Sequence, residues 1–122
     1  RIPAWAGRVA ALLHTLFRNR FYLPDLSLEH LLVAPDGALV LLDLHNGGRR
    51  APTPRRAARM LGRLWAGARD TVRPRLALCV SARVLAPWFG RGGRRRCLAR
   101  AARLGERWEA RERRKRAAGA AP

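Results

Sequence analysis

The stretch that most constrains the fold is Glu29–Leu42, which reads EHLLVAPDGALVLL. Two short apolar runs, Glu29–Val33 and Ala38–Leu42, flank Pro35-Asp36-Gly37. Proline and glycine stand where tight-turn geometry wants them. The segment therefore predicts two antiparallel strands joined as a hairpin over residues 30–42. Before it, Trp5, Val9, Leu12, Leu13, Leu16 and Phe17 recur at spacings of three and four, which predicts a helix over 4–20 with Pro3 at its start. Phe21–Asp25 reads as an extended approach to a loop, because Pro24 pushes Leu23 out of helical space. Asn46-Gly47-Gly48 breaks the chain after the hairpin. Apolar stripes then predict helices over 55–69 and 74–89, a loop at Gly92-Gly93, and a long helix over 94–117. Leu98, Ala101, Ala102, Leu104, Gly105 and Trp108 form the inner side of that last helix, and 118–122 reads as a frayed tail. The fold class is mainly α with one small β-hairpin. Residues 1–48 and 49–117 are two parts of one unit.

Charge divides the chain at the same place. It holds 26 Lys+Arg against 8 Asp+Glu, a net charge of +18. Residues 1–48 balance four basic residues against four acidic ones; residues 49–122 hold 22 against four. An asymmetry of this kind points to an anionic partner: nucleic acid, a phospholipid surface or a phosphorylated substrate. The blander reading is a solvated arginine face, since Lys115 is the sole lysine and such a bias reflects GC-rich coding as well as function. Apolar residues make up 48%, too many for a wholly disordered chain. There is no apolar run long enough for an ordinary transmembrane helix. Cys79 and Cys97 have no metal-ligand spacing and read as idle thiols, and an arginine-rich chain without a signal peptide reads as cytosolic. A first residue of Arg rather than Met suggests a fragment.

The chemistry-bearing stretch is residues 22–46, YLPDLSLEHLLVAPDGALVLLDLHN. It sets Asp25 in a loop before the hairpin and Asp43 directly after it. A hairpin brings its ends together, so the two carboxylates are expected as neighbours, with His30 facing the same cleft. Two carboxylates and an imidazole suit metal-assisted phosphoryl transfer, in which one aspartate orients the attacking hydroxyl and the other holds Mg²⁺. Taken singly, Asp25 is also readable as a turn cap, Asp43 as a strand end and His30 as a core histidine.

Asp25-Leu26-Ser27-Leu28-Glu29-His30 followed by Leu42-Asp43-Leu44-His45 resembles the lipopolysaccharide kinases, the Kdo kinase/WaaP/InaA group of the protein-kinase-like superfamily. There a histidine commonly replaces the catalytic-loop asparagine of protein kinases, and the metal motif reads like D-L-H. The resemblance implies a kinase-like C-terminal lobe, with ATP and Mg²⁺ as cofactors. Asp25 matches the catalytic aspartate. Asp43 matches the metal-binding aspartate, and His30 the second metal or phosphate position. The acceptor it implies is an anionic glycolipid, a lipopolysaccharide precursor. The setting it implies is cytoplasmic and peripheral to the inner membrane, with the basic terminal helix as the docking element. Two positions depart from the pattern: Leu23-Pro24 stands for His-Arg, and Arg59-Met60-Leu61-Gly62 offers no acid to tie down the catalytic loop. With no glycine-rich phosphate loop or strand lysine before Asp25, the N-terminal lobe is absent from the chain. Two other readings compete: a degenerate pseudokinase or scaffold, and a basic helical nucleic-acid binder using Trp65, Trp88 and Trp108. Nucleic acid is the disfavoured partner, because those tryptophans fall on apolar helix faces.

Overall fold

A computed structural model describes residues 3–42 and 46–120. The first helix, α1, spans Ala4–Arg18 and buries Ala6, Val9, Leu13, Leu16 and Phe17 on one face. Trp5, expected on that face, is instead exposed. Past the helix, Arg20 takes a left-handed φ of 53° and turns the chain into strand β1, Phe21–Tyr22. The hairpin forms as expected in place but is shorter: β2 is Leu31–Val33 and β3 is Leu39–Leu41, antiparallel with Leu32 opposite Val40. Glu29 and His30, expected to open the first strand, lie in a 3₁₀ turn, Leu28–His30. The Ser27 hydroxyl accepts the Glu29 N–H at 3.3 Å there, a local bond that competes with extended backbone. At the hairpin tip the Asp36 carboxylate accepts the Ala38 N–H at 3.0 Å, and Gly37 takes φ 87°, which favours glycine.

One pairing was not anticipated. Gly48–Arg49 forms β4, antiparallel to β1 with Tyr22 opposite Gly48, and the Arg50 N–H extends the ladder to Arg20 O at 2.7 Å. The two short ladders thus bracket the loop between them.

Three helices follow: α2 (Pro54–Ala66), α3 (Pro74–Leu85) and α4 (Arg91–Ala120). The Thr53 hydroxyl caps α2 by accepting the Arg56 N–H, with Pro54 in the first turn. Both α2 and α3 end earlier than their apolar stripes suggest, α3 just before Pro87, which cannot continue it. Gly92-Gly93 is no loop: both lie in the first turn of α4, started by the Arg94 N–H on Gly90 O at 2.9 Å. The tail expected to fray from 118 is helical through Ala120.

The core joins Leu13 and Phe17 of α1, Leu23 and Leu26 of the loop, Met60, Leu61 and Leu64 of α2, Val80 and Val84 of α3, and Cys97 and Ala101 of α4. Its most extensive helix pairing is between α2 and α4. A Cβ on Gly62 would lie 2.6 Å from the Ala101 carbonyl oxygen, so only glycine admits this approach. Farther along, the Arg63 guanidinium lies 3.9 Å above the Trp108 ring, and Arg69 pairs with Glu109. Trp65 donates from Nε1 to Ser81 Oγ at 2.8 Å, and Trp88 meets Phe17 edge-on at 5.9 Å. All three tryptophans are occupied in packing, as their places on the helix faces suggested.

Candidate functional site

The site begins with a loop held by its apolar residues. Leu23 and Leu26 are 5% and 3% exposed, and Ser27 is 1% exposed. The Leu26 N–H bonds to Leu23 O at 3.2 Å, closing a turn that lifts Pro24 and Asp25 outward. Asp25 is exposed, and Asn46 donates from Nδ2 to Asp25 Oδ2 at 2.7 Å. That bond joins the two ends of the 25–46 segment. At the base of the hairpin the Leu42 N–H reaches His30 O at 2.7 Å. Asp25, His30 and Asn46, with Leu23, Pro24, Leu26 and Leu41, line one cleft of about 30 Å³.

Asp25 and His30 are therefore brought together as expected. The expected position of Asp43 lies outside the described residues. Asn46 was read as a chain breaker and its link to Asp25 was not foreseen; Asn-Gly-Gly looks like ordinary turn chemistry. The loop lacks the acidic tie expected of the resembled family, but it is not left loose. Leu23 and Leu26 join the same core as Met60 and Leu61, so burial does the holding.

Tyr22 stands beside this cleft. Burial pushes its phenol above the ordinary value of 10.0, against the pull of Arg59, Arg56 and Arg50, while the negative charge of Asp25 pushes it further up. One aromatic hydroxyl thus feels three guanidinium groups and the candidate catalytic carboxylate together.

Among the described residues no group of three or more His, Cys, Asp or Glu is placed to hold a metal ion. The donors at the cleft are the Asp25 carboxylate, the Asn46 amide and the His30 imidazole. Mg²⁺ takes oxygen ligands, keeps several waters and needs only one or two carboxylates, so the oxygen donors fit it. An imidazole fits it less well, which favours phosphate contact over metal ligation for His30. A second, larger cavity of about 210 Å³ lies between α2, α3 and α4, lined by Leu61, Trp65, Leu98 and Ala101 with Arg69, Glu106 and Glu109 at hand. Among the described residues no helix is long and apolar enough to cross a membrane. No family model, curated protein or solved structure matches the chain.

Proposed function

We propose that the chain is the acceptor-side, C-terminal lobe of a kinase that transfers phosphate from ATP to a sugar hydroxyl of a lipopolysaccharide core or a related anionic glycolipid. The observation that carries this reading is the Asn46–Asp25 hydrogen bond, which fixes an exposed carboxylate at the mouth of a hairpin beside His30. In this reading Asp25 orients the acceptor hydroxyl and takes its proton, and Asn46 holds the carboxylate in place. His30 contacts a nucleotide phosphate. Mg²⁺, when bound, neutralises nucleotide phosphate charge, with Asp43 as its expected ligand. The bracketing of the hairpin by the β1–β4 pair, followed by helices, supports a kinase-like C-terminal lobe. The single lysine, Lys115, is exposed on α4, far along the chain from the cleft, so the phosphate-clamping lysine and loop would come from an N-terminal lobe.

The basic terminal helix gives the proposal its docking element. From Arg113 to Gly119 every residue is exposed, and Arg113, Arg114, Lys115 and Arg116 are consecutive cations. Such a cluster draws a protein to an anionic leaflet by about 1 kcal/mol per basic residue. The test is phosphotransfer by the complete protein to a glycolipid acceptor. Asp25→Ala should lower kcat by about 10²–10⁴ with little change in nucleotide affinity. Transfer that survives this substitution would overturn the role of Asp25, and no transfer by the unsubstituted complete protein would end the kinase reading in favour of a scaffold.

A further inference from the structure

We propose that Arg50, Arg56 and Arg59 form an anion subsite beside Asp25 that takes a phosphomonoester carried by the acceptor. The proposal rests on the reading of Asp25 as the acceptor-side carboxylate. Its geometry is set by the β1–β4 pair and the start of α2. Tyr22 lies opposite Gly48, and Arg50 is pinned one step past β4 by its N–H on Arg20 O. The Arg56 guanidinium is held against the connector, with Nη1 donating to Ala51 O at 2.8 Å, while the Arg56 N–H is fixed by the Thr53 cap. Arg59 lies three residues on, so it shares that side of α2.

The charge balance selects the ligand. The ion pairs found among the described residues are Arg69–Glu109 and Lys115–Glu112, and neither involves these three arginines. Arg59, Arg56 and Arg50 act on Tyr22 together with Asp25, so positive charge is in excess among these described groups. A phosphate anion suits that excess. Guanidinium forks match phosphate oxygens bidentately, and such charge-assisted bonds are about twice as strong as neutral ones. An acceptor whose phosphate sits on these arginines would present a neighbouring hydroxyl to Asp25. That makes the substrate an already phosphorylated sugar rather than a neutral one.

Tyr22 is the sole tyrosine, so phenol absorbance reports this place alone. Methyl phosphate is the probe, added to the 122-residue chain, with sodium chloride at matched ionic strength as the blank. Bound dianion offsets the arginine charges that hold the phenol down, so the Tyr22 titration midpoint should move upward. Arg56→Gln with Arg59→Gln should remove the movement and weaken binding about tenfold or more. Arg50→Gln with Arg59→Gln, which leaves the Arg56–Ala51 bond intact, should do the same. Arg103→Gln with Arg107→Gln, exposed on α4, should leave both unchanged. No movement with methyl phosphate, or equal weakening by the α4 pair, overturns the subsite. Binding of ATP but not methyl phosphate, lost in the Arg56/Arg59 pair, would assign these arginines to the nucleotide and overturn the acceptor assignment. The assay involves no turnover, so its outcome is separable from that of Asp25→Ala on phosphotransfer.

Discussion

Gly62→Ala tests the contact that holds α2 against α4. The added Cβ would lie 2.6 Å from the Ala101 carbonyl oxygen, where ordinary contact begins at 3.4 Å. The shortfall of 0.8 Å between those two figures cannot be relieved by a side-chain rotation, because the obstructing atom is main chain. One helix must shift, straining the Arg63–Trp108 stack and the Arg69–Glu109 pair on the same interface. Overpacking of this kind costs about 1–3 kcal/mol. Against it stands a helix-propensity gain of about 1 kcal/mol for alanine over glycine. The upper part of the overpacking range applies, leaving a net loss of about 1–2 kcal/mol. For a chain of this size that lowers Tm by about 4–8 °C. Urea unfolding followed by far-UV circular dichroism should show a lower midpoint at unchanged slope. Gly7→Ala is the control: it lies in α1 with nothing within 4 Å of the new Cβ and should stabilise by a few tenths to about 1 kcal/mol. A Gly62→Ala protein as stable as Gly7→Ala would refute the close crossing.

Other expectations follow from single groups. Burial pushes the Cys97 thiol up to about 11, whereas Cys79 is exposed. A thiol reagent near pH 8 should therefore modify one cysteine quickly and the second only on unfolding. The same shift has a sign for stability. The native state holds the Cys97 proton above the pH at which the unfolded chain releases it, so its contribution is full below about pH 9 and is lost as pH rises toward 11. Denaturation midpoints at pH 8, 9.5 and 11 check it, and a Cys97→Ala protein should lose that part of the slope. Asn46→Ala should release Asp25 and lower kcat of the complete protein several-fold with little change in stability, since the bond is exposed. Binding of the chain to anionic vesicles should weaken steeply between low and moderate salt, because exposed charges are screened beyond about 10 Å at 0.1 M; co-sedimentation across a salt series measures it.

The sequence was legible where a local pattern carried the structure. Pro35-Asp36-Gly37 between two apolar runs is enough to place a hairpin, and the stripes on α1 to α4 place the helices within a few residues. The β1–β4 pair was not legible: two-residue strands have no periodicity, and their pairing depends on segments that meet only after folding. Helix ends misled for a related reason. Gly92-Gly93 looks like a loop, yet long packing of α4 on α2 outweighs the weak local preference of two glycines. Trp5 has the spacing of a core residue but is exposed, while its neighbour Ala6 takes the buried place. At the site, the hairpin alone was enough to place Asp25 and His30 on one cleft. Asn46 was hidden because its role depends on a side chain 21 residues away.

The reach of α4 sets an orientation. Its 30 residues make a rod of about 45 Å. Gly62, Trp108 and Glu109 clamp its middle, while the stretch from Arg113 to Gly119 stands clear. A rigid rod clamped in this way cannot swivel independently. Any flat anionic layer that seats its cationic end therefore also fixes the tilt of the hairpin and the height of Asp25 above that layer. Removing Ala110, Arg111 and Glu112 would shorten the overhang by about 4.5 Å and turn the cations by about 60°, changing height while leaving net charge the same. In the proposed kinase reading, the length of this helix would then act as a gauge of how far an acceptor's reactive hydroxyl projects from the layer.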